Sequence, residues 1–298
     1  MVDNNTGMLA VGVDAAPGAL HAARWAAREA VRRHRGLRLV HATDERSLHY
    51  PRGLPVGDDL LEVVRMRGHR LLRAARDAVR EVAPELPVEL VLSREAPGEV
   101  LLDESKAAPL LVLGTPGLRP LARVFAGSLS IALSAHAACP VALVRGHAGD
   151  DEPPSEGPVV VGVDGSSSSE EAVAIAFEEA SWRDVPLMAV HAWDDAFLSA
   201  VFEETHWTPD EAAVEARESE VLAERLAGWQ EKFPEVAVER VITRGRPSAA
   251  LLDVADRAQL LVVGSRGRGG FSGLLLGSTS QGVMSYALCP VLVARHRR

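Results

Sequence analysis

Two stretches of this 298-residue chain carry glycine and hydroxyl residues at a spacing suited to holding an anion. In the second half Gly264 and Gly267 form GxxG, nine residues follow, and Gly277 then opens Gly277-Ser278-Thr279-Ser280. In the first half Gly114 and Gly117 form GTPG, nine residues follow, and Gly127 opens Gly127-Ser128-Leu129-Ser130. The spacing G-x2-G-x9-G-S therefore occurs twice. Each copy follows an aliphatic run, LLVL at 110–113 or LLVV at 260–263, and leads into a segment of helical character. Glycine lets backbone approach a ligand closely. A helix start presents unpaired N–H groups and the positive end of its dipole to a phosphate. The hydroxyls of Ser278 and Ser280 add potential donors. The competing reading is a flexible surface loop ending in a helix cap, and repetition of the spacing favours phosphate over it. The loop is not a Walker A motif, which requires a lysine. Nor is it a dinucleotide fingerprint, because a GxGxxG frame from Gly267 meets Ser272 at its third glycine.

The elements that position these glycines are duplicated throughout. Asp14 answers Asp164, His41 answers His191, Pro97 answers Pro247, and Cys139 answers Cys289, always 150 positions apart. A constant offset means that the two copies align without net insertion between these landmarks. The acidic, proline-rich stretch between them reads as an exposed linker. The expected division is a first domain over 1–146, a linker over 147–157 and a second domain over 158–298. Within the second copy, strands are expected at 159–164, 187–193, 236–244, 260–264 and 290–295. Helices are expected at 167–182, 212–233, 248–258 and 280–288. Near-continuous aliphatic strands alternating with helices predict a parallel sheet covered on both faces. The fold class is thus α/β, two tandem copies of a doubly wound, Rossmann-like domain with five parallel strands. Ligands of such sheets bind beyond the carboxyl ends of the strands, which directs attention to Asp164, Ala192, Gly245 and the glycine loop.

Composition narrows the function classes. A net charge of −9 and an aromatic content of 4% argue against a nucleic-acid binder, which needs a basic face or stacking platforms. No apolar stretch reaches the roughly 20 residues of a membrane span. The N-terminal MVDNNTGMLAVGVD lacks the basic flank and apolar length of a signal peptide, so a cytoplasmic location is expected. The two cysteines form no metal-ligand spacing.

The sequence resembles the universal stress protein family in its tandem two-domain, ATP-binding form. The resemblance covers nearly the whole chain and rests on VGVDGSSSS, AVHAW, RGRP, GSRGRGGFSGLLLGSTSQ and CPVLVAR. It implies the fold of the adenine nucleotide α-hydrolase-like proteins. It also implies an adenine nucleotide, ATP with or without magnesium, at the sheet's carboxyl edge. Asp164 would lie beside the ribose or a metal-bridged phosphate, and the backbone at Ala192 would meet the adenine. The segments Gly264–Gly267 and Gly277–Ser280 would hold the phosphates. The same roles in the first half fall on Asp14, Ala42, Gly114, Gly117, Gly127, Ser128, Leu129 and Ser130. The resemblance further implies pairing of the two final strands as an internal pseudo-dimer, a possible homodimer, and a regulatory protein partner of unknown identity. The implied role is nucleotide-dependent regulation of stress or dormancy responses with little or no turnover.

The halves are unequal. Glu95 stands where the second half has Gly245, and Pro116, which has no N–H donor, sits in the first loop, so the second site is expected to be the better one. Matched His41 and His191 read as strand-end side chains bonded to backbone rather than catalytic groups, and the cysteines read as buried thiols. Arg266 and Arg268 are within reach of phosphates or simply solvated. The segment GGFSG at 269–273 is a candidate lid. A slow ATPase or adenylyl-transferring enzyme is the alternative. Against it, the chain shows no HIGH- or KMSKS-like segment, VDGSSSS stands in place of an SGGxDS loop, and the glycine loop offers no evident general base.

Overall fold

The computed structural model describes residues 7–16, 18–50, 54–55, 57–115, 127–145, 152–193, 211–267 and 276–295. The chain divides between Pro153 and Pro154 into two compact units, inside the stretch expected to be the linker. Its described part, 152–157, is fastened at both ends. Glu152 pairs with Arg28 at 2.6 Å and with Arg24 at 3.8 Å, and Pro153 is buried. Gly157, at φ +102°, offers its carbonyl to the side-chain amide of Gln259 at 2.7 Å.

In the first unit the main strands are β1 (Leu9–Gly12), β2 (Leu37–Ala42), β3 (Val88–Ser93), β4 (Leu111–Thr115) and β5 (Val141–Arg145). The helices are α1 (Gly18–Arg32), α2 (Asp58–Val82), α3 (Pro97–Glu104) and α4 (Ser128–His136). A short antiparallel ribbon joins His49–Tyr50 to Leu54–Pro55. The second unit repeats the plan with β6 (Val159–Gly162), β7 (Leu187–Trp193), β8 (Val238–Arg244), β9 (Leu260–Gly264) and β10 (Val291–Ala294). Its helices are α5 (Ser167–Arg183), α6 (Glu211–Lys232), α7 (Pro247–Ala255) and α8 (Ser278–Tyr286). The last helix starts two residues earlier than expected, because Gly277 with extended backbone (φ −70°, ψ 151°) is its cap. Pro97 and Pro247 open α3 and α7, where the missing N–H costs nothing and the fixed φ suits the first turn.

Each unit is a parallel five-stranded sheet. The strand order is β3-β2-β1-β4-β5 in the first unit and β8-β7-β6-β9-β10 in the second. Leu9, Ala10, Leu111 and Val112 are fully buried in the first core, as are Val159, Val160, Leu261 and Val262 in the second. Burial on both sheet faces accounts for the runs of aliphatic residues without polar alternation. Strand order reverses between β1 and β4, and again between β6 and β9, which places a crevice at the carboxyl ends of each pair. No helix among the described residues is long and apolar enough to cross a membrane.

Candidate functional site

The crevice of the second unit is built from three chain segments. Asp164 stands two residues past β6, and its Oδ1 accepts the N–H of Ser166 at 2.9 Å. The Asp164 N–H donates to Ser169 Oγ at 3.1 Å. Ser166 in turn caps α5, its Oγ accepting the Ser169 N–H at 3.2 Å. Asp164 thus builds the turn into α5 and also stands at the site, so its turn-forming role and its candidate binding role coexist. Its other carboxylate oxygen meets the second segment: a Cβ on Gly267 would lie 2.5 Å from Asp164 Oδ2. Only glycine lets that backbone lie so close to the carboxylate.

The third segment is the start of α8. The Gly277 N–H donates to the Ser265 carbonyl at 2.9 Å, and Ser280 Oγ donates to the Gly264 carbonyl at 2.6 Å. A Cβ on Gly277 would lie 3.6 Å from the Gly267 nitrogen. The two ends of the G-x2-G-x9-G-S motif are therefore clasped together beside Asp164. Because its cap residue is glycine, α8 begins without a side-chain acceptor on its first N–H groups, the arrangement in which an anion can take that place.

Two expected site residues have other tasks. Ser280 is 3% exposed and spends its proton on Gly264, leaving exposed Ser278 and half-buried Thr279 as the hydroxyls at the mouth. Gly264 is glycine because α5 crosses over it: a Cβ there would lie 2.8 Å from the Ser168 carbonyl oxygen. In the first unit the Gly18 carbonyl stands against Gly114 in the same way.

Ala192 lies near the end of β7, half-buried and in register with Thr243. Next to it, the Gly245 N–H donates to the Trp193 carbonyl at 3.0 Å. Gly245 has φ +135° with no heavy atom of the described residues within 4 Å of a notional Cβ, so its conformation calls for glycine there. The guanidinium of Arg244 stacks 5.6 Å from the Trp193 ring centroid. Sequence reasoning had not singled out this pair, though RGRP and AVHAW contain it.

In the first unit Asp14 Oδ1 accepts the Ala16 N–H at 2.9 Å, but Ala16 and Ala19 replace the two capping serines. Ala42 pairs in register with Ser93. The corner beside it differs from its counterpart: the Glu95 N–H donates to Ser93 Oγ at 3.2 Å, and the Glu95 carbonyl accepts the Asp44 N–H at 3.2 Å. Gly127 caps α4 with no atom of the described residues within 4 Å of a notional Cβ, Ser128 and Leu129 are exposed, and Ser130 is buried. Gly117, Pro116, Arg268 and the GGFSG segment lie outside the described residues.

Both histidines bond to backbone. Nδ1 of His41 lies 2.7 Å from the Val13 carbonyl, and Nδ1 of His191 lies 2.7 Å from that of Val163. His191 Nε2 also lies 2.9 Å from Glu218, whereas the first unit has Gly68 against the His41 ring. Both cysteines are buried, and neither is in a disulfide. Burial pushes the Cys289 thiol up to about 12, which leaves it protonated and unreactive at neutral pH.

The family model described as "Universal stress protein family" matches residues 8–145 and again 157–295. The chain belongs to the universal stress protein family. It is 41% identical to a universal stress protein of Mycobacterium tuberculosis strain H37Rv over 291 residues, 96% of this chain and 95% of that one. It is 40% identical to a universal stress protein of Mycolicibacterium smegmatis over 292 residues, 96% of each chain. Among solved structures it is similar to a universal stress protein of Archaeoglobus fulgidus, with a TM-score of 0.68 and 17% identity over 98% of this chain and 99% of that one. That last likeness concerns the fold, which recurs as two tandem universal stress protein domains.

Proposed function

We propose that this universal stress protein binds an adenine nucleotide, ATP, at the carboxyl edge of its second unit and acts as a nucleotide-dependent regulator of stress or dormancy responses with little or no turnover. The observation that carries the reading is the meeting of Asp164, Gly267 and Gly277 at the point where strand order reverses. The start of α8, capped by Gly277, opens there beside the serine-capped start of α5. The polyphosphate would lie against Gly267 and the first turn of α8, the ribose beside Asp164, and the base toward Ala192 and Gly245.

A magnesium ion fits this site only in company with phosphate. No group of three or more histidine, cysteine or acidic residues able to hold a metal occurs among the described residues, and one oxygen of Asp164 is already used by Ser166. Asp164, whose Oδ2 stands against Gly267, is the carboxylate that would contribute, and magnesium commonly takes one or two carboxylates together with phosphate oxygens. A cytoplasmic location belongs to the same proposal.

The test is calorimetric titration of ATP into the full chain and into Gly277→Asp. We expect a loss of at least about 100-fold in affinity at the second site, because a carboxylate at the α8 start opposes phosphate. Unchanged affinity with the first site separately disabled by Gly127→Asp would refute the assignment. ADP or AMP accumulating with time would favour the enzymatic alternative.

A further inference from the structure

Among the described residues of the second unit, all aromatic rings but one lie away from the crevice. Phe177, Trp229 and Phe233 stack on one another, and Trp182 and Tyr286 belong to the last turns of α5 and α8. A helix returning from one parallel strand to the next ends at the amino edge of the sheet. The exception is Trp193, the last residue of β7, at the carboxyl edge. Val163, the residue before Asp164, accepts His191 Nδ1 at 2.7 Å, so Trp193, two residues on, ends the strand next to Asp164.

Trp193 is fixed by its surroundings. It pairs in register with Arg244, the last residue of β8, and its carbonyl accepts the Gly245 N–H at 3.0 Å. The Arg244 guanidinium lies 5.6 Å from the ring centroid, within the range of cation–π attraction. The pair stands on the α6 side of the sheet, because His191, two residues earlier and pointing the same way, meets Glu218 of α6 at 2.9 Å. α7 covers the other side: a Cβ on Gly162, in register with Val190, would lie 3.0 Å from Leu251. The chain passes from β8 through Gly245 toward that other side, and Trp193 stays half-buried and Arg244 exposed. A ring serving the core alone would be buried, as Phe177 is. At the duplicated positions the first unit has Thr43 and Arg94. Thr43 donates its hydroxyl to the Ser93 carbonyl at 3.1 Å, and Arg94 stands 4.0 Å from Glu45. The arginine is common to both units, and the ring is what the second unit adds.

Resting on the nucleotide reading of this crevice, we propose that Trp193 is the wall on which the base stacks, and that it makes the second site favour purine over pyrimidine nucleotides. Arg244 backs the indole on one face, and the base takes the other. An indole is a large rigid plane that loses little conformational freedom on contact. Every base presents a π face to it, so stacking adds affinity without reading the base edges. A two-ring purine shares more area with the indole than a one-ring pyrimidine does. The ring therefore separates those two classes, and it does not separate adenine from guanine.

Calorimetric titration of the full chain with ATP, CTP and inorganic triphosphate tests this, with Gly127→Asp carried throughout to silence the first site. The parent should bind ATP about tenfold more tightly than CTP. Trp193→Ala should lower ATP affinity about tenfold, bring ATP and CTP together, and leave triphosphate unchanged. Trp193→Phe, which keeps a flat ring, should retain most of the ATP affinity. ATP should also quench indole emission in the parent, and Trp193→Phe should bind without that quenching. A Trp193→Ala variant that keeps the ATP-to-CTP ratio would overturn the proposal. So would an equal loss of ATP and triphosphate, which marks a structural role, or quenching that survives in Trp193→Phe. A parent chain that binds no ATP at all would overturn the nucleotide reading itself, and this proposal with it.

Discussion

Gly264 and Gly267 look alike in the sequence and do different things. Gly264 faces the first turn of α5, where a Cβ would lie 2.8 Å from backbone oxygen, and backbone cannot step aside cheaply. Among the described residues, Gly267 faces the Asp164 carboxylate and nothing else. Gly264→Ala should therefore destabilise the second unit by about 1–3 kcal/mol in urea unfolding, whereas Gly267→Ala should change stability by less than about 1 kcal/mol. Its effect should fall on ligand instead: displacing Asp164 should weaken ATP at least about tenfold in calorimetry. Equal effects of the two substitutions on stability would sink this division. The spacing of these glycines was legible because it is repeated. The reason for Gly264 was not, because it depends on where α5 crosses the strand. Ser280 shows the same limit: the sequence shows a hydroxyl at a helix start, and only the fold shows that it turns inward to the Gly264 carbonyl.

At the level of elements, the turn after β2 is held by a side chain from α2. Glu45 receives Arg65 through both carboxylate oxygens, from Nε and Nη2 at 2.7 Å each. The hydrogen bonds from Arg65, helped by its charge and that of Arg94, hold the Glu45 carboxyl below its ordinary value of 4.5. A carboxyl depressed in the folded state stabilises that state above its ordinary value and loses this contribution as pH falls. The first unit should thus lose stability on acidification from about pH 5 downward. Glu45→Gln should flatten that part of the curve by lowering stability near pH 8 while changing little at the acid end, as read by thermal unfolding against pH. An acid limb unchanged by Glu45→Gln would assign it to other carboxylates. Strands and helices themselves were readable from aliphatic runs and helical periodicity, with ends shifted by one to three residues. This latch was not, since Glu45 and Arg65 are 20 residues apart on different elements.

For the whole molecule, duplication was the clearest message of the sequence, and it predicted two sheets of five parallel strands. Their order was not readable, since an aliphatic strand does not announce its neighbours, and the order fixes where the crevices lie. Duplication also supplies an internal control on function. Both units place an aspartate after the first strand and a glycine-capped helix after the fourth. The second unit alone has capping Ser166 and Ser169 and the open Gly245 corner, where the first has Ala16, Ala19 and Glu95. Glu95 brings a negative charge to an edge proposed to meet phosphate, and its turn lacks the positive-φ geometry of Gly245. Unequal affinity is the expected consequence: calorimetry should show one tight equivalent of ATP per chain and a second at least about tenfold weaker. Gly127→Asp should remove only the weak phase, and Glu95→Gly should strengthen it. Two sites of equal affinity, or loss of the tight phase on Gly127→Asp, would show that these differences do not govern binding and that the backbone cradle common to both units does.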